Sequence, residues 1–155
     1  MPRRFFSLCS IAPQIGIRET RRILGQYVLT DQDILGCRDF ADTIGVQGWP
    51  VEAHIKGDVK FVFAPRESRG FNEIPYRIIV PQKVDNLLVA GRCASMSHDG
   101  QSSARVSGPC FVMGQAAGTA ADLALATRSA PRAISVAELQ RRLRASGANL
   151  GPSAA

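Results

Sequence analysis

The sequence has little of what marks metal-binding, secreted or membrane proteins. It contains four cysteines and two histidines, and no two cysteines stand as C-x-x-C, which excludes the common zinc constellations. The thiols of Cys9, Cys37, Cys93 and Cys110 are expected to be reduced and mostly buried, as in a reducing compartment. No apolar run approaches the roughly 20 residues that a membrane-spanning helix needs. Residues 1–10 hold too short an apolar stretch for a secretion signal, and no A-x-A site follows. The chain is therefore expected to be soluble and cytoplasmic, with no membrane partner. Aromatics make up only 6 % of the residues and no nucleic-acid-binding motif is present. The net charge of +6 is thus read as solvated faces and contacts to small anions, not as a nucleic-acid surface. Internal repeats and long low-complexity tracts are absent too.

What is present fits one domain or two small lobes: 155 residues, 45 % of them apolar. The first half reads as mixed structure. Residues 27–29 form a short strand candidate, and Thr30 with Asp33 makes a capping box that opens a short helix toward Leu35. Residues 58–64 (DVKFVFA) are expected to be a strand with Val59, Phe61 and Phe63 on one face, and residues 76–80 a second strand between Pro75 and Pro81. The second half is more legible. Residues 86–90 (NLLVA) suit a strand buried on both faces that stops at Gly91. Residues 91–108 read as a polar loop, and 109–127 as a long helix capped by Ser107 or Gly108 with Pro109 in its first turn. Small residues at 114, 117, 118 and 121 give that helix a smooth stripe for close approach. Ser135 with Glu138, and Ile134 with Leu139, frame a last helix that Gly147 ends.

The unit from Asn86 to Ala121 has the parts of a ligand site: a strand ending at a glycine, a polar loop, and a helix whose free N–H groups and positive dipole end point back at the turn. Its motifs are specific. The stretch 74–121, IPYRIIVPQKVDNLLVAGRCASMSHDGQSSARVSGPCFVMGQAAGTAA, resembles the C-terminal part of the FAD-dependent oxidoreductase family. The pattern runs IPYR-x-x-VP, NLLVAGR, S-x-x-H, an R-V pair, then GQAAGTAA. Upstream, GIRETRRI at 16–23 resembles a segment of the same family, and VEAHIKG at 51–57 is a weaker match in which Ala53 precedes His54 and the family's D-x-H aspartate is missing.

The resemblance implies an α/β fold, α+β in the first half. Residues 1–73 would be the end of a β-rich substrate-facing region, 74–128 the closing strand–loop–helix part of a Rossmann-like FAD-binding domain, and 129–155 a C-terminal helix and flexible tail. It implies FAD as cofactor and a small organic substrate that exchanges a hydride or electrons with it. By the same likeness, Gly91 and Arg92 stand near the flavin ribityl and pyrophosphate, and Arg105 and Val106 near the pyrimidine edge. Ser103 and Gly114 are counted on the cofactor side, with close packing the other reading of Gly114. His98 matches the loop histidine, a proton shuttle or a histidine bonded to backbone. Arg18 and Arg22 are placed to clamp a carboxylate or to join an internal ion-pair network, and His54 is a catalytic candidate or a core histidine.

No G-x-G-x-x-G occurs in the sequence, since Gly45/Gly48 and Gly114/Gly118 have the wrong spacing. The family's pyrophosphate turn and ribose-binding acid have no counterpart here. The chain is accordingly expected to be a fragment that binds FAD weakly or not at all by itself and leaves apolar surface and open edges. A non-catalytic subunit or remnant that pairs with a separate FAD-binding chain is the alternative, and a basic nucleic-acid-binding module a third.

Overall fold

The computed structural model describes residues 10–11, 13–55 and 58–152, without the side chains of 54 and 55. The first regular element, α1 (Asp31–Leu35), exists because of its cap. Thr30 Oγ1 accepts from the Asp33 N–H, and Asp33 Oδ2 accepts from the Thr30 N–H at 3.0 Å, the full reciprocal box. Strands β1 (Thr43–Gln47), β2 (Val51–Ile55), β3 (Asp58–Val62) and β4 (Asn72–Pro75) follow. They form two antiparallel pairs, β1 with β4 and β2 with β3. The β1–β4 register runs from Gln47 opposite Asn72 to Thr43 opposite Pro75 and slips between Thr43 and Gly45, a bulge that turns the strand. A side chain on Gly45 would run into Val112 of the long helix, so the helix sits against bare backbone at this point.

Helices α2 (His98–Ala104), α3 (Ser107–Thr127) and α4 (Val136–Ala145) complete the chain, with 3₁₀ turns at Tyr76–Ile78 and Pro131–Ala133. α3 packs on β1 and α4, and α2 on β2 and α1. The core between them is aliphatic: Leu29, Ile44, Ile74, Ile78, Ile79, Met113, Leu139, Leu143 and Leu150 are all essentially inaccessible. α4 is anchored by Ser135 Oγ, which accepts from the Glu138 N–H, and by buried Ile134 and Leu139. Only half of that capping box forms, because the Glu138 carboxylate accepts from Arg141 and Arg142 instead. Those hydrogen bonds hold Glu138 down at a pKa of about 2. Gly147, at φ +84°, ends the helix as its sequence suggests.

The fold is therefore a mixture of helices and small antiparallel sheets, and four local expectations are corrected. Residues 76–80 are no strand. After Pro75, the Asp42 carboxylate accepts from both the backbone and the guanidinium of Arg77, and the Ile79 N–H donates back to the Tyr76 carbonyl at 3.0 Å, which closes a 3₁₀ turn. Because Tyr76, Ile78, Ile79 and Val80 are all buried, their apolar run carries no face to tell strand from turn. Residues 86–90 form no ladder among the described residues. Their strand-type bond is Val89 N–H to the Ile79 carbonyl at 2.9 Å, and Leu87 is exposed. The loop expected at 91–108 contains α2, whose small polar residues from Gly100 to Ala104 are buried, so tertiary packing overrides weak helix propensity. α3 begins at Ser107 with Val106 as its N-cap, whose side chain has no oxygen to accept a capping hydrogen bond.

The fourth correction concerns side chains. The small-residue stripe of α3 faces outward at Gly114, Gly118 and Ala121, while Met113, Ala116, Ala120, Leu123 and Ala124 face the core. β3 is exposed throughout, so Val59 and Phe61 reach no core, and Phe61 packs edge-on against Trp49. Cys37 and Cys110 are half-buried and Cys93 is exposed, all three with free thiols. Cys9 lies outside the described residues. Arg132 ties the far end of the chain to the loop before residue 86: its guanidinium donates to the carbonyls of Pro81, Gln82 and Val84 and pairs with Asp85 at 2.9 Å.

Candidate functional site

The Gly91 turn is built by backbone. Gly91 has φ +84°, a conformation that favours glycine, and the Ala94 N–H donates to its carbonyl at 3.0 Å. From this turn the chain runs alongside residues 23–29: Ile23 N–H donates to the Cys93 carbonyl, Leu29 N–H to that of Ser95, and Ser97 N–H back to that of Leu29. The same register brings residues 17–21 over the turn. Arg92 Nη1 donates to the Ile17 carbonyl at 2.5 Å, and the buried Gln101 amide donates to the carbonyls of both Arg18 and Arg92. Two motifs more than 70 residues apart in sequence (the Arg92–Ile17 separation is 75) thus share one wall.

Between them lies a cleft of about 510 Å³ lined by Ile17, Arg18, Glu19, Thr20, Arg21, Ala90, Arg92 and Cys93. Its acidic member is turned away from the other cations: Glu19 is paired with Arg22 and accepts from His98 Nδ1 at 2.8 Å. Burial opposes ionisation of Glu19, but the hydrogen bonds from His98 and Arg22 outweigh it and hold the carboxyl below its ordinary range. Glu19 is therefore ionised near neutrality and holds the His98 ring through Nδ1. His98 itself is largely exposed.

A second network stands behind α2. The buried Glu52 carboxylate accepts from Arg105 Nη2 at 3.0 Å and from Trp49 Nε1 at 3.1 Å, with Arg18 at 3.9 Å. Burial pushes Glu52 up, and these partners more than reverse it. Ser103 Oγ donates to the Trp49 carbonyl at 2.6 Å and accepts from Gln47, while Ser102 Oγ accepts from the Glu52 N–H.

The structure thus brings Arg18, Arg22, His98, Gly91 and Arg92 into one region, with Arg22 engaged by Glu19. Ser103 and Arg105 belong to the Glu52 network, Val106 is the N-cap of α3, and Gly114 lies on the helix's outer face. His54 stands opposite Val59 in the β2–β3 pair, but its side chain lies outside the described residues. The start of α3 meets the turn through Cys110, whose Sγ would lie 3.8 Å from a methyl placed on Gly91, its sole close neighbour. Residues 106–109 themselves line a different cavity of about 570 Å³, shared with Val46, Gln47, Gly48, Trp49 and Val112. Glu52 and Gln101 were not singled out in the sequence, and Glu19 was named with Arg18 and Arg22 in the GIRETRR segment without a role of its own. Glu19 is signalled by its place in GIRETRRI, whereas Gln101 has no sequence signal, since its role depends on carbonyls that only the fold assembles.

The residues at hand suit an anionic cofactor. Arg18, Arg21 and Arg92 line the cleft. Among the described residues no group of histidine, cysteine and acidic side chains is arranged to hold a metal ion, and no helix is long and apolar enough to cross a membrane. Neither a curated protein nor a solved structure matches the chain. The family model for FAD dependent oxidoreductase matches residues 2–143. With the ordered motifs and the basic cleft at the Gly-Arg turn, that match establishes that the chain belongs to the FAD-dependent oxidoreductase family, whose cofactor is FAD.

Proposed function

We propose that this chain forms the flavin-facing wall of an FAD-dependent oxidoreductase, as the closing part of a Rossmann-like domain (residues 74–128) joined to the end of a substrate-facing region (1–73) and followed by a C-terminal helix and tail (129–155). The observation that carries this reading is the joining of the Gly91–Arg92 turn to the 17–21 segment through Arg92 and Gln101. FAD, when bound, would supply the chemistry of hydride or electron transfer with a small organic substrate. The protein supplies the rest. Arg92 and Arg18 offer charge-assisted donors to phosphate or carboxylate oxygens. Val106 and the first residues of α3 present N–H groups that favour negative charge by about 0.3–1 kcal/mol. His98, oriented by Glu19, moves a proton at Nε2 on the substrate side.

A partner segment carrying the G-x-G-x-x-G turn, on the same or a separate polypeptide, completes the pocket. The bare apolar side chains of Phe111 and Leu125 on α3 and of Leu24, Val84 and Leu87 near the turn support this part of the reading. A non-catalytic subunit would show the same bare surface, and activity distinguishes the two. The setting proposed is cytoplasmic.

Hydrogen–deuterium exchange at millimolar FAD tests the wall directly. Protection is expected in the peptides that span residues 88–93 and 106–112, and Arg92→Ala should weaken it severalfold. Protection confined to other parts of the chain would end the proposal.

A further inference from the structure

Two cysteines stand at the turn just described. Cys93 is exposed and lies inside the turn that Ala94 N–H closes onto the Gly91 carbonyl, a geometry that keeps its ends within about 7 Å. Cys110, in the first turns of α3, has its Sγ against the same glycine, 3.8 Å from where a methyl would stand. Each thiol donates to a nearby carbonyl, Cys93 to Ala90 and Cys110 to Arg105. Cys37 shows no such partner in the same set of contacts.

We propose that Cys93 and Cys110 form a peroxide-responsive thiol pair that closes reversibly into a disulfide between the Gly91 turn and α3. Hydrogen peroxide oxidises Cys93: its sulfur takes one peroxide oxygen, the O–O bond breaks, and water leaves, giving a sulfenic acid. The Cys110 sulfur then attacks the Cys93 sulfur, and the hydroxyl leaves as a second water. One peroxide is reduced, and two thiols become one disulfide. The division of roles follows from the surroundings. Cys93 is open to solvent, whereas burial pushes the Cys110 thiol up and keeps it protonated, with neighbouring Arg92 acting in the opposite direction. The cross-link would splice the turn to the first turns of α3 and fix the geometry of the wall between them. None of this needs FAD to be bound, so it stands or falls separately from the flavin reading.

Trypsin places the two cysteines in different peptides, 93–105 and 106–128. The full chain is treated with stoichiometric hydrogen peroxide, and free thiols are blocked before digestion. The expected product is the 93–105/106–128 disulfide pair, lost on adding dithiothreitol, with two of the four thiols consumed. In Cys93→Ser, at an exposed site where folding is not at risk, Cys110 should stay reduced. In Cys110→Ser, a sulfenic acid at Cys93 should persist long enough to be trapped by dimedone. Oxidation of Cys93 to sulfinic acid with Cys110 still free, a cross-link between two chains, or a bridge to Cys9 or Cys37 would each overturn the proposal.

Discussion

Leu123 and Leu125 lie two positions apart on α3, yet the first is 2 % exposed and the second 80 %. The same division runs along the whole helix. Met113, Ala116, Ala120 and Leu123 are sealed against β1 and α4, while Phe111 and Leu125 stand in solvent beside Gly114 and Gly118. A surface helix ordinarily turns polar side chains outward, and α3 exposes Phe111 and Leu125 alongside its polar Gln115, Asp122 and Thr127. The covered face shows what stabilises this chain alone, and the bare face shows where its sequence is suited to a further layer.

The contrast is sharpest if the two faces are truncated in turn. Leu143→Ala, at a fully buried α4 position packed toward α3, should cost about 2–5 kcal/mol, whereas Leu125→Ala should stay within about 0.5 kcal/mol. Urea titration followed by circular dichroism measures both. Equal losses would mean that the outer face is already covered, and the comparison would fail.

The charged interior gives the next largest effect. Arg105→Ala removes the guanidinium from the buried Glu52 carboxylate and should cost about 3 kcal/mol near neutral pH. The sign with pH follows from Glu52 being held below its ordinary value when folded. The stabilisation from this pair is complete above the ordinary carboxylate range and is lost as pH falls through the folded value. The variant should therefore show a flatter acid limb than the parent in melts taken from neutral to acidic pH. Parallel limbs would show that Glu52 is not the group responsible.

The smallest effect belongs to a helix end. Ser135→Ala should lower stability by about 1 kcal/mol, read as a shift in the thermal midpoint. No shift would mean that the staple of Ile134 and Leu139 holds α4 without the cap.

Elements with local punctuation were legible in the sequence. Thr30 and Asp33 placed α1, Ser135 and Gly147 bounded α4, and the Gly-Arg and GQAAG motifs pointed to the family. Elements defined by partners were not. Residues 76–80 became a 3₁₀ turn because Asp42, 35 residues away, captures the Arg77 N–H. α2 formed from poor helix formers because β2 and α1 bury it. The candidate site was legible as a list of residues but not as an arrangement: Arg18, Glu19, Arg22 and His98 were named, but that Glu19 binds Arg22 and His98, and that Gln101 fastens the two motifs together, became evident only once long-range contacts were in place.

Arg132 has a consequence of its own. One guanidinium holds the carbonyls of Pro81, Gln82 and Val84 and the carboxylate of Asp85, so the approach to the NLLVA segment is splinted from outside by a residue near the chain's far end. Removing that splint by a single charge-neutral substitution of Arg132 would loosen the approach to the Gly-Arg turn without altering a residue that lines the cleft.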